Sequence, residues 1–207
     1  MRSVAIALVV LVLSAGAVAE PTSTRLLEGV RAFQAGDYAR ALADFEEVGA
    51  RPDAPADLAF YLGPTLYKLG RYTDALDVFL RAGGNADLLS GFYRAETYYR
   101  LGLYRKARGL FVELRARGLG PRLGAAADLH VQLIDALFAT APPAAAIDSY
   151  LAQGRKLVAA GRAALAAEYF DEARLVEALA PSPSPELREE IRAALASARD
   201  LAARPTP

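Results

Sequence analysis

Residues 55–82 read Pro-Ala-Asp-Leu-Ala-Phe-Tyr-Leu-Gly-Pro-Thr-Leu-Tyr-Lys-Leu-Gly-Arg-Tyr-Thr-Asp-Ala-Leu-Asp-Val-Phe-Leu-Arg-Ala. Leu62 and Gly63 lie in a first helical run, Gly70 and Tyr72 mark a break, and Ala75, Phe79 and Ala82 follow on one face of a second run. Small residues at fixed places let two antiparallel helices approach closely, and aromatic side chains fill what remains. The pattern recurs 34 residues earlier in Gly36, Tyr38, Ala41, Phe45 and Val48, and 32 residues later in Gly102, Tyr104, Ala107, Phe111 and Leu114. A period near 34 built from helix–turn–helix units marks a helical repeat array, so the fold class expected is all-α.

These positions resemble the tetratricopeptide-repeat (TPR) family. Gly63, Leu66, Gly70, Tyr72, Ala75, Phe79 and Ala82 fall on its signature places. The third unit departs from it, with Ala95 where the family prefers Gly and Arg94 where it prefers Leu. A late match runs through Tyr150, Gly154, Leu157, Gly161, Ala166, Phe170, Ala173 and Pro181, with Ala163 in place of the turn Tyr. The resemblance implies a right-handed α-solenoid of about 9–10 antiparallel helices after a signal segment. It divides the chain into a signal peptide (1–19), three units (20–117), an inserted helix plus a further unit (118–181), and a capping helix with tail (182–207).

Composition narrows the function classes. The chain has 207 residues, no cysteine and a formal net charge of zero. Disulfides, thiol catalysis and thiolate metal sites are therefore excluded. A balanced charge offers no basic footprint for nucleic acid and no polybasic run for anionic lipid. One histidine, His130, cannot build a multi-His metal site. Phosphate-binding glycine loops and nucleophile elbows are missing. The adjacent carboxylates Glu46-Glu47, Asp171-Glu172 and Glu189-Glu190 diverge around a helix and read as solvated faces. No enzyme and no cofactor is expected.

Arg2, the apolar run Val4 to Leu13 and the small-residue ending Ala17-Val18-Ala19 describe a secretory signal cleaved before Glu20. Its apolar span of about 15 residues is short of the roughly 20 that cross a bilayer, so no stable membrane insertion is expected after cleavage. With no cysteine after it, a lipoprotein anchor is excluded. An exported, periplasmic protein follows.

Along the chain, Thr22-Ser23-Thr24 offers caps for a first helix, and a second runs from Tyr38 to Val48, with Gly49 and Pro52 stopping it. Asp53-Ala54-Pro55 opens the next unit. Pro64 then falls about ten residues into a helix, where it removes a hydrogen bond and crowds the Phe60 carbonyl, predicting a kink beside Gly63. Gly83-Gly84-Asn85 ends that unit, and the next begins near Asp87. A helix over 123–139 carries no turn signature and ends at Ala141-Pro142-Pro143. Strict alternation pairs it with 144–160; the repeat signature instead pairs 144–160 with 162–179. Pro181-Ser182-Pro183-Ser184-Pro185 precedes an amphipathic end helix of about 185–203, the cap that an array requires.

In proteins similar to this one, the first helix of each unit lines a concave face. Register places Leu26, Val30 and Phe33 there from the first unit, and Phe60, Pro64, Tyr67 and Lys68 from the second. Phe92, Glu96, Tyr99 and Arg100 come from the third. Aromatic and Arg anchors dominate interface energies. Val30, Pro64 and Glu96 stand where carboxylate-clamping relatives carry Asn, so an apolar helix or extended segment of another protein is the expected partner. The alternatives are a second copy of the chain, as a self-associating structural component of an envelope complex, and after it an accessory role beside an enzyme of peptidoglycan or polysaccharide. Tyr72, Phe79, Tyr104, Phe111 and Phe170 are expected in the core; Phe60, Tyr67, Phe92 and Tyr99 fit either core or groove, because helix 123–139 or the end helix can fill part of it.

Overall fold

The computed structural model describes residues 21–83, 87–140, 144–180 and 184–204. The segment 1–19 read above as a signal and the breaks at Gly84-Asn85, Ala141-Pro142-Pro143 and Pro181-Ser182-Pro183 lie outside them. All regular structure among the described residues is helical: α1 (Thr22–Ala35), α2 (Tyr38–Gly49), α3 (Ala59–Lys68), α4 (Tyr72–Arg81), α5 (Leu88–Arg100), α6 (Tyr104–Ala116), α7 (Pro121–Thr140), α8 (Ala144–Ala159), α9 (Ala163–Glu177) and α10 (Pro185–Ala203).

Each turn follows from one glycine. Gly36, Gly70, Gly102 and Gly161 end α1, α3, α5 and α8 with φ of 82°, 75°, 76° and 72°, the left-handed conformation that a Cβ disfavours. The antiparallel pairs α1/α2, α3/α4, α5/α6 and α8/α9 then pack along their lengths. Close approach comes from a second set of glycines. Gly29, Gly63 and Gly154 face Phe45, Phe79 and Phe170, sixteen residues on in each case, so tightly that an added Cβ would meet the ring. In the third pair Ala95 occupies that place, and Phe111 packs against Phe92 and His130.

The structure departs from local expectation in four places. Thr22 lies inside α1 rather than capping it; its hydroxyl donates to Asp53, tying α1 to the loop after α2. Helix α3 starts at Ala59, because the amides of Leu58, Phe60 and Tyr61 bond three residues back in tight turns. Pro64 is therefore the sixth residue of α3, not the tenth. Tyr72 and Tyr104 are half-buried rather than core, each edged against the tyrosine that closes the preceding helix, Tyr67 or Tyr99. Phe79, Phe111 and Phe170 are buried as expected.

The carboxylates Asp171-Glu172 are not a solvated face. Glu172 is fully buried and accepts from the backbone amides of Arg105 and Lys106, at 2.7 and 3.0 Å. These are orphan donors in the first turn of α6, so Glu172 caps that helix from another part of the chain. Asp171 receives the Lys106 ammonium at 2.9 Å, and Glu168 receives both it and the Tyr98 hydroxyl at 2.7 Å. Arg162 reaches the Thr73 carbonyl, Asp74 and Asp77 of α4.

Helix α9 is thus held across the starts of α4 and α6. Helix α7 packs on α6, and its His130 reaches α5, while α8 lies against α9 and α10 against the other side of α9. Among the described residues, the last three helices meet the earlier ones chiefly where α9 touches α4 and α6.

Candidate functional site

Helices α1, α3, α5 and the start of α7 border two neighbouring hollows. The first, of about 430 Å³, is lined by Val30, Phe33, Gln34, Phe60, Tyr61, Pro64, Asp87, Leu89, Ser90 and Tyr93. The second, of about 590 Å³, is lined by Tyr67, Lys68, Phe92, Tyr93, Glu96, Arg122, Leu123 and Ala126. Tyr93 is their shared wall.

The first hollow is apolar because Val30, Phe33, Phe60, Pro64 and Leu89 dominate its lining. Pro64 lacks the amide that Phe60's carbonyl would accept from in a regular helix. The nearest hydroxyl, Ser90 on α5, stands 3.5 Å from that carbonyl, while its shorter contact, 2.7 Å, is to Asp87. Asp87 also caps α5, accepting from Leu89 N at 2.8 Å and Ser90 N at 3.1 Å. Pro64 itself is buried against its neighbours, and Phe60 stands half-exposed over the cavity.

The second hollow has a polar floor. The Tyr67 hydroxyl on α3 donates to Glu96 on α5 at 2.9 Å. His130 on α7 stacks on Phe111 and stands edge-on to Tyr99, with Nδ1 3.4 Å from Glu96. Nδ1 also lies 2.9 Å from the Ala126 carbonyl; a carbonyl only accepts, so this nitrogen carries the proton. Burial pushes the Tyr67 phenol up to about 12, with Arg100 opposing the rise and Glu96 adding to it, so it remains a neutral donor. The chain Tyr67–Glu96–His130 ties three helices together beneath the surface.

The rim is basic. Lys68 stands 5.5 Å over the Tyr93 ring. Arg100 is exposed beside Tyr67, whose hydroxyl raises the guanidinium's affinity for its proton, and Arg122 is exposed at the start of α7. Among the described residues, none of these three cations has a carboxylate within ion-pair reach, whereas Arg25, Arg71, Arg108 and Arg115 all do.

The residues expected from sequence separate into three groups. Val30, Phe33, Phe60 and Pro64 line the first hollow, and Tyr67, Lys68, Phe92 and Glu96 line the second. Phe92 and Glu96 are each only 7% exposed, so they present an edge to it and no more. Leu26 packs into the core of the first pair, and Tyr99 is covered by His130 of α7. Sequence reasoning missed Tyr61, Leu89, Tyr93 and the residues from α7. Tyr93 neighbours Phe92 in sequence, but only the packing of α3 on α5 places it between the hollows.

Among the described residues no group of His and carboxylates is placed to hold a metal ion, and no helix is long and apolar enough to cross a membrane. No family model matches the chain.

Proposed function

We propose that this chain is an exported, TPR-like interaction scaffold of the periplasm that holds a helix or extended segment of another envelope protein in its hollow face. One observation carries the reading. The first helices of three successive pairs bring Val30, Phe33, Phe60, Tyr61, Pro64, Leu89 and Tyr93 around one open apolar cavity. A concave lining of aromatic and aliphatic anchors, adjoining a polar step, is the architecture that protein segments dock into. The repeat signature and the apolar leader support the family and the compartment.

Site-specific photocrosslinking in the native cell tests it. A photoreactive side chain at Phe60 is expected to trap a discrete partner band that is absent when the probe replaces Val112, an exposed residue of α6 outside both hollows. Equal trapping at both positions, or none at Phe60, refutes it. Self-association is the second reading, favoured by the exposed Leu129, Leu133 and Leu137 along α7. Sedimentation as a strict monomer at micromolar concentration eliminates it.

A further inference from the structure

The hollow face is patterned in charge as well as shape. At its α1/α3 end lies the apolar cavity around Phe60 and Pro64. Beyond Tyr93 the lining turns basic at Lys68 and Arg122, with Arg100 beside Tyr67. Every carboxylate bordering these hollows is already engaged: Asp87 caps α5, and Glu96 accepts from Tyr67 beside His130. Among the described residues, Lys68, Arg100 and Arg122 have no carboxylate within ion-pair reach.

Past this basic step the surface becomes apolar again. Arg122 and Ala126 line the second hollow, and Leu129, Leu133 and Leu137 continue their stripe at spacings of three and four along α7. These leucines are 54%, 49% and 45% exposed, an apolar ridge along α7. From one end to the other the order is apolar, cationic, apolar.

We propose that the occupant is an amphipathic helix with one or two acidic side chains between two apolar blocks, the acids meeting Lys68, Arg100 and Arg122. This deepens the groove reading above and rests on it. A helix of roughly 16–20 residues, about 24–30 Å long, would cross four helices whose neighbours lie about 8–10 Å apart. A partner with a basic centre would set like charges against these three cations, and the pattern thereby selects against it.

Selection from a displayed library of helical peptides, about 20 residues long and randomised along one face, tests this against the purified protein. Peptides enriched on the wild type are expected to carry Asp or Glu between two apolar blocks. The doubly reversed variant Lys68→Glu/Arg122→Glu changes two exposed residues and is expected to bind those peptides about tenfold more weakly and to enrich Lys or Arg in their place. If selected peptides lose affinity on Phe60→Ala but show no acidic preference, or if the reversed variant enriches the same sequences, the inference fails and the groove reading stands. If no selected peptide responds to Phe60→Ala, both fail. Inorganic phosphate binding to the wild type, with no peptide enriched, identifies a small-anion site and overturns the proposal.

Discussion

Replacing Gly154 by Ala is the sharpest test of why these helix pairs form. In an exposed helix interior this change stabilises by about 1 kcal/mol, because glycine is the more flexible residue in the unfolded chain. At Gly154 an added Cβ would lie 2.7 Å from Phe170 Cζ and 2.8 Å from Cδ1, and closer still to Cε1. Ordinary carbon contacts begin near 3.5 Å, so the ring must retreat by roughly an ångström. It has nowhere to go: Phe170 is 2% exposed, and Ala166, Ala167 and Ala173 beside it on α9 are buried too. Overpacking of this kind costs about 1–3 kcal/mol, which offsets the propensity gain and leaves a net loss of up to about 2 kcal/mol. For a domain of this size the midpoint of thermal unfolding falls by up to roughly 8 °C. Gly109, exposed in α6 with nothing within 4 Å of where a Cβ would stand, is the internal control. Gly109→Ala is expected to raise the midpoint by roughly 2–4 °C. Phe170→Leu combined with Gly154→Ala is expected to be less destabilising than the two changes summed. A Gly154→Ala protein as stable as the Gly109→Ala protein refutes the close-approach argument.

Further outcomes follow from the same packing. Burial raises the Glu172 carboxyl from its ordinary 4.5 to about 7, against the opposing pull of the Arg105 and Lys106 amides that it caps. The folded protein therefore keeps a proton that the unfolded chain releases between these values. The stability contributed is complete below pH 4.5 and is lost as pH rises through about 7, by up to about 3 kcal/mol. Denaturant titrations across this range are expected to show a flatter pH dependence for Glu172→Gln, and an unchanged slope counts against the assignment. Asp87→Ala removes both amide contacts at the start of α5 and is expected to cost about 1 kcal/mol in the same assay. Tyr67→Phe leaves Glu96 without its phenol donor and is expected to cost about 1–3 kcal/mol; a neutral effect dismisses the α3–α5 link.

What could be read beforehand was what repeats locally. The turn glycines, Phe45, Phe79, Phe111 and Phe170 each sit in a pattern that one unit of sequence displays in full. The end helix beginning at Pro185 announces itself by Ser184 and its own periodicity. Arg162, Lys106 and Glu172 had no such mark. Their partners lie 62 to 89 residues away, and nothing adjacent distinguishes a carboxylate that caps a distant helix from one facing water. The groove divides in the same manner. Val30, Phe33, Phe60 and Pro64 follow from register alone, whereas the covering of Tyr99 by His130 depends on where an unsigned helix comes to rest.

Helix α9 works as a strut. By bolting the entry points of α4 and α6 to one rod, it fixes the pitch of the second and third pairs, while the first pair is joined to them chiefly through α2 against α3. Pulled from its amino end, the molecule should therefore peel α1 and α2 away at low force before the braced portion yields. That leaves the Val30–Phe33 wall of the cavity as a hinged jaw against a rigid one.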